Sequence, residues 1–210
     1  MEISYLGHSA FKIRGKNAVL VTDPYGGDWV HLKFPRHITA DIVTVSHEHQ
    51  DHNATGNLEG QPVIVRGPGE YEIKGVGIIG IAAFHDSQNG SERGKNTIYR
   101  IDIDGISVVH LGDLGHMLNT SQLETLDGVG VLLIPVGGVY TIDARGAVEV
   151  IREIDPAIVI PMHFGRPELK EIADVKTFLK EIDREGLSPQ PKLTLTKDKL
   201  PEEMQVVLLE

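Results

Sequence analysis

The chain has no cysteine. This excludes disulfides and thiolate ligands, so a metal bound here must be held by histidine, aspartate or glutamate. Positive charge is also in short supply. Lys and Arg number 20 against 30 Asp and Glu, a formal net charge of −10. Such a chain has no global attraction for nucleic acid, and a nucleic-acid partner would need a local basic patch. No apolar run approaches the roughly 20 residues of a membrane helix, so no membrane association is expected. The start, Met1-Glu2-Ile3-Ser4, lacks a basic segment followed by an apolar one, so no secretory signal is expected and a cytoplasmic location is the working expectation.

What is present suits a soluble globular protein: 210 residues, 40% hydrophobic and 24% charged. The length fits a single domain over residues 1–210, built as two halves of about 1–115 and 116–210.

The most informative stretch is His47-Glu48-His49-Gln50-Asp51-His52, with three histidines and two acids in six residues. It follows Ile42-Val43-Thr44-Val45-Ser46, which reads as a buried strand. On an extended segment His47 and His49 point the same way, whereas adjacent Asp51 and His52 share that direction only if the backbone turns. Two ligands in one direction and two in another suit a pair of metal ions better than one. Imidazole nitrogen and carboxylate oxygen are preferred zinc ligands.

Short strands are expected at Ile3–Leu6, Ala10–Ile13 and Ala18–Val21, with His8 in the break between the first two and Asp23 ending the third. Asp23 is read as a turn-forming side chain. Residues 24–40, with Trp29, His31 and His37, read as a loop that rims a pocket or covers one edge of the core. Strands follow at 63–65, 71–73 and 76–84, the last delivering His85 and Asp86 at its end, where α/β-type folds place site residues. Residues 87–96 are polar and glycine-rich, the pattern of a mobile loop. Strands at 98–103 and 106–110 flank the turn Asp104-Gly105. Asp113 then stands in Gly112-Asp113-Leu114-Gly115, whose glycines allow close backbone approach. Helices are expected after Thr120, from Ala144 to Ile154 capped by Asp143, and from Val175 to Glu185 capped by Asp174. Strands at 131–136 and 157–162 separate them, the latter running into His163, and 193–195 and 205–209 close the chain.

The motif H-x-H-x-D-H at residues 47–52, followed in order by His85, Asp113 and His163, resembles that of the metallo-β-lactamase superfamily. The resemblance spans nearly the whole chain and implies a four-layer αββα sandwich. It further implies that His47, His49 and His85 hold one metal and Asp51, His52 and His163 a second. Asp113 would bridge them, with its two oxygens serving one cation each, and Asp23 at its strand end would, as the alternative to a turn role, support the metal loop without ligating. Superfamily β-lactamases often place a cysteine at the second metal, which this chain cannot do. The segments Gly7-His8-Ser9, Gly67-Pro68-Gly69-Glu70-Tyr71, Gly112-Asp113-Leu114, Gly138-Val139-Tyr140-Thr141 and Ile160-Pro161-Met162-His163-Phe164 are similar to the compact branch that includes ascorbate-6-phosphate lactonase.

The resulting expectation is a metal-dependent hydrolase. Two divalent ions, zinc first and manganese or iron as alternatives, would share a hydroxide that attacks a lactone, thioester or phosphodiester. A small molecule is the expected substrate, and a homo-oligomer is compatible with the sequence. The alternatives are a nuclease-type phosphodiesterase and a non-catalytic metal- or ligand-binding protein on the same fold. Asp51, His8 and His116 are the candidate catalytic residues beyond the bridging group. Glu70, Tyr140 and Thr141 are further rim candidates, and His110 is either a support for the site or a core histidine.

Overall fold

A computed structural model describes residues 1–167 and 169–210. The first three strands, β1 (Glu2–Gly7), β2 (Ala10–Arg14) and β3 (Val19–Thr22), form an antiparallel meander. β4 (Ile42–Val45) and β5 (Val63–Arg66) then add in parallel, and β12 (Leu193–Thr194) returns to pair with β1. The six-stranded sheet runs β12-β1-β2-β3-β4-β5. The remaining strands are β6 (Gly69–Ile73), β7 (Val76–Phe84), β8 (Lys95–Ile103), β9 (Ile106–His110), β10 (Val131–Pro135), β11 (Ile158–Met162) and β13 (Gln205–Val206). They form a seven-stranded sheet ordered β13-β11-β10-β9-β8-β7-β6, antiparallel from β6 to β9 and parallel from β9 to β13.

The two sheets face each other across one apolar layer. Ile3, Phe11, Leu20 and Ile42 meet Ile78, Ile101, Val108 and Leu133 there. A second layer lies outside the seven-stranded sheet. There α3 (Ala144–Ile154) and α4 (Val175–Glu181) pack through Val148, Ile151, Phe178 and Leu179 onto Val109, Leu132 and Ile134. Strands β10 and β11 therefore bury both faces, which explains their uninterrupted apolar runs. Each deeply buried Leu or Ile contributes about 1.5–3 kcal/mol. Over the six-stranded sheet the cover is thinner. It consists of α1 (Gly27–Val30) and the surrounding loop, whose Phe34 and Ile38 sit on Val21, Val43 and Val45. This is the αββα sandwich with one outer layer made mostly of loop.

The helix signals act as expected at their starts. Asp143 accepts from the Gly146 N–H, and Asp174 accepts from the Lys176 N–H. Asn119 and Gln122 form a reciprocal cap on α2 (Thr120–Thr125). α4 stops at Glu181 rather than Glu185, because Asp183 turns left-handed (φ 55°) and ends the helical path. The change of sheet falls between β5 and β6. β8 begins at Lys95, three residues before the apolar run, because Asn96 and Thr97 are buried and bonded. Among the described residues no helix is long and apolar enough to cross a membrane.

Strands β1, β3, β4, β7, β9 and β11 run in the same sense within their sheets. Their C-terminal ends meet at one edge of the sandwich, where bonds cross between sheets. Thr97 N donates to Ser46 O at 2.9 Å, and His163 N donates to His8 O at 3.0 Å.

Candidate metal centre

Each of those six strand ends delivers one polar residue or cluster: His8, Asp23, His47, His85, Asp113 and His163 in chain order. Three of them, His8 (φ 56°), Asp23 (φ 37°) and His163 (φ 51°), hold the left-handed backbone that ordinary side chains avoid. Local strain concentrated at converging strand ends is characteristic of a functional site.

After His47 the chain turns, with His52 N and Asn53 N both donating to His49 O. The turn separates the cluster as its spacing suggests. Ligand atoms of His47, His49 and His85 lie within 4.8 Å of one another. A second set, Asp51, His52 and His163, gathers within the same limit and includes His8 as well. Asp113 stands between the sets. Its Oδ2 is 3.2 Å from Nε2 of His85, of His52 and of His163, and 4.0 Å from that of His47. Its Oδ1 is buried and has no hydrogen-bond partner.

The surrounding bonds fix which ring nitrogens are free. His52 Nδ1 donates to Asp23 Oδ2 at 2.8 Å, leaving Nε2 for the site. Ser46 Oγ donates to the same Asp23 oxygen at 2.5 Å and accepts from His47 Nδ1 at 2.9 Å, leaving His47 Nε2 free. Asp23 also accepts from Ser46 N at 2.8 Å. Its oxygens are thus spent on orienting one histidine of each set, and the support reading of Asp23 holds.

Several polar atoms here are buried without a hydrogen-bond partner, including His52 Nε2 and Asp113 Oδ1. Three imidazole nitrogens crowd one carboxylate oxygen at 3.2 Å. Buried polar groups are normally satisfied, so an arrangement of this kind fits cations. Protonation agrees. Burial, reinforced by neighbouring His163, pushes His8 down to about 4. Burial and then His52 push His47 down to about 3, and burial lowers His49. These imidazoles are neutral and ligand-ready at pH 7. Burial opposes charge on Asp113 too, but His163 and His52 outweigh it and hold the carboxyl well below its usual range. His52 is pushed up because Asp113 and Asp51 overcome its burial. Without a cation the carboxylates draw a proton onto His52, and a metal would take that proton's place.

The remaining candidates divide. His8 is buried beside the second set, its Nε2 3.2 Å from Asp51 Oδ2. His116 is not brought to the cluster. Its Nε2 accepts from Phe84 N at 3.1 Å and its Nδ1 donates to Met117 O at 2.7 Å, so both nitrogens brace the end of β7. His110 is a support: Nε2 donates to Ser9 O at 2.8 Å and Nδ1 accepts from Gly112 N at 3.1 Å. Glu70 is exposed on β6, and exposed His37 pairs with Glu59 at 2.6 Å. Thr141 bonds to Ile142 O, while Tyr140, Trp29 and His31 line a cavity of about 750 Å³ that opens onto the cluster.

Sequence reasoning missed Asn96, and it placed Asp86 at the strand end without its loop-folding role. Asn96 accepts from Asp113 N at 3.1 Å and donates to Leu111 O at 2.9 Å, framing the turn that carries Asp113. Asp86 accepts from the backbone N–H groups of Gln88, Gly90, Glu92 and Arg93. The loop expected to be mobile is therefore folded around one carboxylate. The glycines act against neighbouring backbone: a Cβ on Gly115 would come within 2.4 Å of His85 C and Asp86 N.

The family model described as "Beta-lactamase superfamily domain" matches residues 2–163. A Thermoplasma acidophilum protein named UPF0173 metal-dependent hydrolase is 31% identical over 193 residues, spanning 80% of this chain and 85% of its own. A crystal structure from Thermotoga maritima, whose name assigns it to the metallo-β-lactamase superfamily as a Zn-dependent hydrolase, superposes with a TM-score of 0.82. It is 36% identical and covers 100% of this chain and 98% of that one. Igni18, a metallo hydrolase from Ignicoccus hospitalis, shares the fold with a TM-score of 0.63 at 23% identity, over 93% and 99% of the two chains.

Proposed function

Since the chain belongs to the metallo-β-lactamase superfamily, we propose that it is a hydrolase served by two divalent cations. It is a metal-dependent hydrolase of that superfamily, and the two-cation reading is the finer step. His47, His49 and His85 would hold one cation, Asp51, His52 and His163 the other, with Asp113 shared. The observation that carries this reading is the position of Asp113 Oδ2, 3.2 Å from ligand nitrogens of both sets.

Cations bound there would lower the pKa of water to about 7 and polarise the electrophile. The chain's own residues do the rest. Asp113, its side chain only 2% exposed, is walled in by imidazoles and serves as structure. Asp51, with its side chain 25% exposed, is the carboxylate that an incoming water can reach. His8 is neutral at pH 7 and donates from Nε2 to Asp51, fixing the direction of its free lone pairs. Asp51 then takes the proton of the attacking water and returns it to the leaving oxygen. Asp23 and Ser46 hold His52 and His47 in the tautomers that ligation needs.

Zinc is the first candidate, from the nitrogen and oxygen donors and the name of the Thermotoga relative; manganese and iron suit the same donors. A cavity of about 750 Å³ suits a small molecule carrying a lactone, thioester or phosphodiester. The test is a panel of those three substrate classes on protein loaded with zinc, manganese or iron. Turnover that chelation abolishes and metal restores supports the reading. Metal uptake and ligand binding without turnover of any class would make the protein a binder instead.

A further inference from the structure

Among the residues lining the cavity over the metal cluster, Arg93 is the one lysine or arginine. It also lines a second cavity of about 740 Å³ behind His47 and His49, so it stands where the two spaces adjoin. Its position is fixed from below. Arg93 N donates to Asp86 Oδ2 at 2.8 Å, and Asp86 directly follows the ligand His85. Its head is placed over an aromatic face, with the guanidinium carbon 5.7 Å from the centroid of the Tyr140 ring. The side chain is 34% exposed, yet its ionic partner is only Glu92, which is 58% exposed and reached at 3.4 Å. Such a surface pair exchanges readily for another oxyanion.

The other charges make this position distinctive. Glu48 is engaged by Arg66 at 2.5 Å, and Asp51 and Asp113 belong to the metal sets. Asp28 and Glu171, elsewhere on the lining, repel anions. We propose that Arg93, stacked on Tyr140, is the anion-recognition residue of this pocket, and that the substrate carries a carboxylate or phosphate group beside its scissile bond. The planar guanidinium meets either oxyanion through paired N–H donors. Tyr140 supplies an apolar face for the adjoining carbon skeleton. Charge on the rim thus orients the substrate, with the anion at Arg93 and the reacting group over the metals. This deepens the hydrolase reading and rests on it for turnover, but not for binding.

Two readouts separate the claims. The first is hydrolysis by metal-loaded protein of two 4-nitrophenyl esters, the hemisuccinate and the neutral butyrate. Wild type should favour the hemisuccinate in kcat/KM by about tenfold or more, as expected for a charge-assisted contact. Arg93→Gln should erase that preference by lowering kcat/KM for the hemisuccinate about tenfold, and Arg93→Lys should retain part of it. The second readout uses Trp29, the single tryptophan, which lines the same cavity. Its fluorescence should report saturable binding of phenylphosphonate or benzoate, and the tighter of these identifies the anion. Arg93→Gln should weaken that binding about tenfold. No preference in wild type, or preference and binding both retained in Arg93→Gln, overturns the proposal. If neither ester is hydrolysed, the hydrolase reading fails for these bonds and the fluorescence titration decides the role of Arg93.

Discussion

His52 donates from Nδ1 to Oδ2 of Asp23 across 2.8 Å, and both side chains are fully buried. The residues are far apart in sequence and come from different strand ends, so the bond is made by the parallel pairing of β3 and β4. The same Asp23 oxygen holds Ser46, and through it His47. Asp23→Asn puts an amide donor where a carboxylate accepted. Cation affinity at the His52 set should fall about 10–100-fold, as for other partners of metal-ligating histidines. Competition with a chelator measures it, and an unchanged dissociation constant would reject the orienting role.

His110 ties the turn carrying His8 to the turn carrying Asp113, through Ser9 O and Gly112 N. His110→Ala leaves Gly112 N buried and unpaired, while Ser9 O keeps the hydroxyl of Thr22 at 3.2 Å. One such orphaned donor costs about 1–3 kcal/mol. Thermal unfolding of metal-free protein should show Tm lower by roughly 2–12 °C. A Tm within a degree of wild type would mean that the brace is dispensable.

Asp86 sets a pH dependence. Burial acts to raise its pKa, but the backbone donors at Arg93, Gly90, Gln88 and Glu92 prevail and hold it at about 2. The unfolded value is about 3.9. Because the folded pKa is the lower, the stabilisation is complete above about pH 4 and is lost as pH falls toward 2. Metal-free wild type should exceed Asp86→Asn in stability at pH 5, with the gap narrowing from pH 4 to pH 2. A gap that stays constant over that range would show that the carboxylate charge is not what folds the loop.

Much of this was legible because the candidate metal ligands stand where apolar strands end. Val43, Val45, Ala83 and Ile160 announce buried strands, and the polar residues just beyond them have few roles other than chemistry. What stayed hidden depends on contacts between distant segments. The candidate His8 shows its partner only when β1 brings it to Asp51, 43 positions away in the chain. His116 looks like a site residue because a glycine-flanked Asp113 precedes it, yet its ring is spent on Phe84 and Met117. Asn96 reads as loop because its partners are backbone groups, which leave no trace in side-chain pattern.

The central claim is that Asp113 joins two cation sites. Elemental analysis of purified wild type and Asp113→Asn, with circular dichroism and hydrolysis rates on the same samples, tests it most directly. Wild type should carry about two divalent cations per chain. Asp113→Asn should stay folded, keep more of the cation at His47, His49 and His85 than of its neighbour, and lose activity by orders of magnitude. Equal metal content and an equal rate in the two proteins would contradict the account.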